Sequence, residues 1–190
     1  MGKEVGKDVD KDQGTLYVMD EANYVHPEAK VRPVTVSNGL AWTADSKFMF
    51  YIDSPTRNID VFDFNLETGS IRNRRTLFSF QSNNVTGVPD GMTIDKDDNL
   101  WVACYGGGKV IKIDSRAGKL LEQHKIPASK VTSVMWGGHD LSILYVTTRK
   151  GLTPSEVAQE PESGSLFAIE GSGTTGVPEK QFVFPDAARY

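Results

Sequence analysis

The sequence predicts an all-β fold of the β-propeller type, built from about three and a half four-stranded units that do not close a ring. Three observations predict it. Short apolar segments separated by turn residues recur as sets of four in about 45 residues, a spacing typical of propeller blades. The first two segments of each set are nearly continuous apolar runs, which suit strands covered on both faces. No helical periodicity of useful length interrupts them, and only residues 154–162 read as one short helical turn inside an insertion.

In chain order, residues 1–13 alternate Lys, Glu and Asp with Gly and are expected to form a flexible charged N-terminus. The partial propeller spans 14–190. Its half unit, 14–35, has a strand at 15–19, a turn at 20–24 and a weaker strand at 29–34, where Pro33 marks an edge or strand end. The first whole unit, 36–80, has strands at 39–42, 48–52, 58–64 and 71–80. The second, 88–127, has strands at 91–94, 100–104, 110–113 and 120–126, with glycine- or aspartate-rich turns between them. The third, 131–184, has strands at 133–136 and 143–147, a long insertion, a strand at 165–169 and an outer strand at 181–184. Closure is what protects propeller blades from exposing packed faces and edges, so an open set of blades is expected to gain partners, to self-associate through those faces, or to be marginally stable.

Composition excludes several classes of function. The chain has 190 residues and a formal net charge of -4. Nothing in it is basic enough for nucleic-acid binding, and Arg72-Asn73-Arg74-Arg75 and Arg149-Lys150 read as solvated strand or turn positions. A single cysteine, Cys104, allows no internal disulfide and fits a reducing, cytoplasmic setting. No signal peptide is recognisable, and no apolar run approaches the roughly 18 residues of a membrane span. Asn84-Val85-Thr86 matches the glycosylation pattern and is expected to be idle without export.

The chemistry-bearing residues sit where the repeat puts them. Asn38 precedes Gly39 and Asp90 precedes Gly91, each at the mouth of a unit's first strand, and Ser133 takes the same position in the third unit. Two readings of the first two are open: Asn-Gly and Pro-Asp-Gly are common turn sequences, and the same oxygens are hard-cation ligands. Asp53 and Asp63 read as hairpin or surface residues. Asp95, Asp97 and Asp98 lack the twelfth-position glutamate of a calcium loop, so a solvated hairpin is expected. His26, His124 and His139 have no metal-ligand spacing, Cys104 reads as a small buried apolar residue, and Gly106-Gly107-Gly108 joins two strands and is no phosphate loop. Trp42, Trp101 and Trp136 are expected in the core.

Several segments together resemble the family of senescence marker protein or regucalcin, gluconolactonases and luciferin-regenerating enzymes. They are residues 36–42, Tyr51-Ile52-Asp53-Ser54, Val61-Phe62-Asp63, Thr68-Gly69, Asn73-Arg74-Arg75, Pro89-Asp90-Gly91-Met92, residues 100–107 and Tyr145-Val146-Thr147. The resemblance implies a six-bladed propeller carrying one divalent cation, Ca²⁺ or Zn²⁺ with Mn²⁺ and Mg²⁺ as further candidates, and hydrolysis of a small sugar lactone such as gluconolactone. It implies that Asn38 and Asp90 are metal ligands, with Asp90 also the catalytic base. A calcium-binding regulator without catalysis, or an inactive self-associating half-propeller, are the alternatives. The family's glutamate ligand and its Arg and Asn substrate contacts have no counterparts here, so the chain resembles the C-terminal portion of a member, and impaired activity is expected.

Overall fold

A computed structural model describes residues 10–19 and 26–181. Among them the chain is nearly all β, and it divides into two compact units. The first contains strands β1 (Gly14–Val18) and β2 (Glu28–Val34), an antiparallel pair in which Val31 and Val34 are buried. Pro33, next to the end of β2, costs no ladder bond a wider sheet would need. The expected turn at 20–24 and most of the expected N-terminal tail lie outside the described residues.

The second unit, Asn38–Val177, holds three consecutive antiparallel sheets. The first orders β3 (Ser37–Trp42), β4 (Phe48–Asp53), β5 (Asn58–Asn65) and β6 (Ser70–Ser79). The second orders β7 (Val88–Ile94), β8 (Asn99–Tyr105), β9 (Lys109–Asp114) and β10 (Lys119–Lys125). The third orders β11 (Val131–Gly137), β12 (Ile143–Thr148) and β13 (Leu166–Ile169). Within each sheet consecutive strands are neighbours, joined by short turns except for the insertion 149–165 between β12 and β13, the meander that local antiparallel pairing favours. The outer strand expected at 181–184 lies almost wholly outside the described residues; Gln181 is not in a strand.

The side-chain period of two explains the continuous apolar runs. On β8, Leu100, Val102 and Cys104 join one cluster with Phe50, Ile52, Val61 and Phe78 of the first sheet. The alternate residues, Trp101 and Ala103, join a second cluster with Val134, Trp136, Leu144 and Val146 of the third sheet. The middle sheet is therefore covered on both faces and has no polar face to alternate with. The third sheet departs from the expected continuous run. Along β11, Val134 and Trp136 are buried while Ser133 and Met135 are exposed, as befits a sheet packed on one face.

Two expectations about core and turn are corrected. Trp42 is 39% exposed and meets Phe64 edge-on, with ring centroids 6.1 Å apart, because it falls on the outward register of β3. The segment 95–98 is a hairpin turn, but its first aspartate is not solvated. Asp95 is fully buried: Oδ1 accepts from the backbone N–H groups of Asp97 (3.0 Å) and Asn99 (2.8 Å), and Oδ2 accepts from Trp101 Nε1 (3.0 Å). Asp98 reaches the neighbouring sheet's turn, its Oδ1 accepting from Ala44 N at 2.8 Å. The aspartates here tie turns together by satisfying orphan N–H groups.

The helical turn in the insertion is α1 (Pro154–Gln159). Pro154 begins it with a φ already suited to a helix, and Thr153 Oγ1 accepts from Glu156 N at 3.2 Å as its cap. No helix among the described residues is long and apolar enough to cross a membrane. The arginine cluster lies on exposed β6, where Arg74 pairs with Asp60 and Arg75 with Asp63.

Candidate metal site

Asn38 and Asp90 lie inside strands, not in turns. Asn38 is the second residue of β3 and Asp90 the third of β7, so the hairpin reading of Asn38-Gly39 and the turn reading of Pro89-Asp90-Gly91 both give way. The β7 strand begins three residues before the expected 91–94. The ladder jumps from Pro89↔Cys104 to Met92↔Val102, leaving Asp90 and Gly91 opposite Ala103 alone. This is a β-bulge, a device that re-aims a side chain while keeping the strand paired on either side.

Glycines then bring the strands close. A Cβ on Gly39 would sit 2.5 Å from Met92 Cβ, a distance no real Cβ tolerates without a shift, and 3.0 Å from the Asp90 carbonyl oxygen. A Cβ on Gly91 would lie 2.7 Å from Ser133 Cα. Each Gly follows a candidate ligand in sequence because the ligand-bearing strand must pack directly on the next.

Asn38 and Asp90 are thereby brought together and are both half-buried. Burial pushes the Asp90 carboxyl up to about 6, and a hydrogen bond from the Asn38 side chain partly offsets that rise. On its other side, Asn38 Nδ2 donates to Ser54 Oγ at 2.9 Å. Ser54 is 2% exposed and opens the 3-10 turn Ser54–Thr56 at the end of β4. The sequence assigns Ser54 no role of its own; its signals are its place in the segment Tyr51-Ile52-Asp53-Ser54 that carries the resemblance and its position between Asp53 and Pro55 at a strand end. Ser133 flanks the pair from β11, beside Gly91, and is exposed.

The donor set is one carboxylate and one amide, hard oxygen donors of the kind that suits Ca²⁺, Mg²⁺ or Mn²⁺. Among the described residues, no group of three or more His, Cys, Asp and Glu side chains is placed to hold a metal. The pair fits a hard cation as two of its ligands, with water supplying others.

The remaining candidates take structural places. Asp53 sits at the β4–β5 corner but is buried, whereas Asp63 is exposed and accepts from Asn73 Nδ2 (2.7 Å) and Arg75 Nη1 (2.9 Å). Burial pushes the Cys104 thiol up to about 12, which disfavours the nucleophilic thiolate. His124 stacks on Trp101 at 5.2 Å and faces Glu122 at 3.1 Å. The Gly106–Gly108 turn joins β8 to β9, with Gly106 and Gly108 at φ 75° and 61°.

Residues 2–150 match the family described as the SMP-30/Gluconolactonase/LRE-like region. The chain is similar to regucalcin from Sus scrofa, with 43% identity over 171 residues, 90% of this chain and 56% of that protein. It spans little more than half the length of the curated relatives it matches. Among solved structures, a luciferin-regenerating enzyme aligns with a TM-score of 0.84 and 37% identity, covering 93% of this chain and 58% of the other. A regucalcin from Agrobacterium tumefaciens aligns with a TM-score of 0.83 at 20% identity, covering 94% and 59%, and shows the likeness of fold.

Proposed function

Because the chain belongs to the SMP-30/gluconolactonase/LRE-like family, we propose that it supplies part of a divalent-cation site for hydrolysis of a sugar lactone of the gluconolactone type. The observation that carries this reading is the pairing of Asn38 and Asp90 across two glycine-packed inner strands. Asn38 Oδ1 and an Asp90 carboxylate oxygen would hold the cation. When bound, a divalent cation there supplies Lewis-acid polarisation of the lactone carbonyl and stabilises negative charge developing on its oxygen.

Asp90 does the proton work. In the cation-free chain its carboxyl lies near 6, and with a cation on one oxygen the other would take a proton from the attacking water. As the ring C–O bond breaks, that proton passes to the departing hydroxyl, so one lactone and one water give one hydroxy acid. Ca²⁺ ordinarily takes about six to eight oxygens, and these 190 residues contribute two by this reading. The chain alone is therefore expected to bind Ca²⁺ or Zn²⁺ weakly and turn over slowly. Gluconolactone hydrolysis followed by acid release should be low, and a chelator or Asp90→Ala should each remove at least about nine-tenths of it. Hydrolysis indifferent to both treatments would discard the reading; Ca²⁺ binding without turnover would favour the regulatory alternative.

Self-association is proposed on a separate observation. Met135, Tyr145 and Leu166 are 48%, 37% and 64% exposed, and the pairings Met135↔Tyr145 and Thr147↔Leu166 put them on one face of the third sheet, opposite the face that packs inward. An apolar sheet face of this kind favours another apolar surface over water. Sedimentation should show mass rising with concentration, and Tyr145→Lys with Leu166→Lys should return it to the monomer. A concentration-independent monomer in the parent chain counts against the proposal.

A further inference from the structure

A primary amide has two ends of nearly equal size and opposite chemistry. Its carbonyl oxygen attracts a cation and its two N–H groups repel one. An asparagine that serves as a ligand therefore needs something to choose the end it presents. At Asn38 two acceptors share that choice, the Asp90 carboxylate on one side and Ser54 on the other. Ser54 Oγ accepts from Asn38 Nδ2 at 2.9 Å across sixteen residues of sequence.

The hydroxyl is held by a stiff corner and has little freedom to follow the amide. Ser54 is 2% exposed, and its carbonyl accepts from Arg57 N at 3.1 Å. Thr56 Oγ1 donates to the Asp53 carbonyl at 2.8 Å, and Arg57 Nη2 donates to the Val85 carbonyl at 3.0 Å. Pro55 restricts the backbone between them. With one N–H of Nδ2 held by Ser54 and the other turned to Asp90, the end of the amide left for a ligand is Oδ1.

We propose that Ser54 is a positioning residue that fixes the Asn38 amide with its carbonyl oxygen available to a divalent cation, an inference that rests on the cation-site reading above. Partners of this kind, one bond removed from the ligand, typically change metal affinity by about 10- to 100-fold when removed.

The test is Mn²⁺ titration of the chain by EPR, with the Asn38 side-chain N–H₂ signals followed by NMR in the absence of metal. Ser54→Ala should weaken Mn²⁺ binding by about tenfold, with the metal-free chain still folded and one of the two Asn38 side-chain N–H signals, the one held by Ser54, losing its protection. Ser54→Cys, which keeps the volume but is a weak acceptor, should fall between, and it serves if the alanine variant folds poorly. In an Asn38→Asp background the ligand has two equivalent oxygens and needs no choosing, so Ser54→Ala should cost less than about twofold. A Ser54→Ala chain that binds Mn²⁺ like its parent overturns the proposal, as does a loss that persists undiminished in the Asn38→Asp background. Asp90→Ala separates the two levels. If it abolishes Mn²⁺ binding while Ser54→Ala does not, only the positioning role fails; if it changes nothing, or the parent binds no Mn²⁺, the cation reading fails and the positioning role with it.

Discussion

Asp95→Ala is expected to destabilise the second unit by about 3–5 kcal/mol, the range for removing one partner of a buried, hydrogen-bonded charge. The reason is the number of groups that one carboxylate satisfies. It is fully buried and accepts from the N–H groups of Asp97 and Asn99, from the Asn99 amide and from the Trp101 indole. Lys112 Nζ lies 3.8 Å away and 5.1 Å from the Trp101 ring centroid, and Trp101 in turn meets Trp136 edge-on at 5.3 Å. Truncation leaves buried donors without partners at the contact between the second and third sheets. Lys112 keeps Glu122 at 3.2 Å, which limits the loss. For a domain of this size the melting temperature should fall by about 10 °C. Asp95→Asn retains the shape and one acceptor oxygen and should lose about half as much. Urea unfolding of both variants decides it. An alanine variant within about 1 kcal/mol of the parent would show that the network has no special weight.

Asp95 also marks where the sequence stops being informative. Its turn was legible because an aspartate followed by polar residues between two apolar runs is local chemistry. Its burial was not, because it depends on Trp101 and Lys112 arriving from later strands. The same division holds at the site. The repeat register put Asn38 and Asp90 at corresponding places, and the resemblance made them ligands, while their glycines announced a close approach that the strand packing requires. Ser54 was hidden because its hydrogen bond depends on how the β4 corner folds back on β3. The bulge at Asp90-Gly91 was hidden for a related reason: it is a mismatch between two strands, invisible along either one. Trp42 shows the opposite error, an apolar residue in an apolar run whose register turns it outward.

The largest functional effect expected is at Asp90, where the stability of the metal-free chain and its affinity for a cation should depend on pH in opposite senses. Burial raises this carboxyl from 3.8 to about 6 in the folded chain, so the folded state holds its proton more firmly than the unfolded state does. The stabilisation from this group is thus complete below about pH 4, declines as pH rises toward 6, and is absent above it. A cation competes with the same proton and prefers the ionised form, so its affinity should climb over that interval and level off above it. With a carboxyl near 6, about one-tenth is ionised at pH 5, so Ca²⁺ should bind about tenfold more weakly there than at pH 7. Melting curves from pH 4 to 8, with and without Ca²⁺, read both trends: the shift produced by Ca²⁺ should grow up to neutral pH and hold steady at 8. Asp90→Asn removes the titrating group, and its curves should show neither this group's decline between pH 4 and 6 nor a Ca²⁺ shift. A Ca²⁺ shift of equal size at pH 5 and 7 in the parent chain would mean that Asp90 does not carry the cation, and Asn38 alone, a neutral amide, offers no charge to replace it.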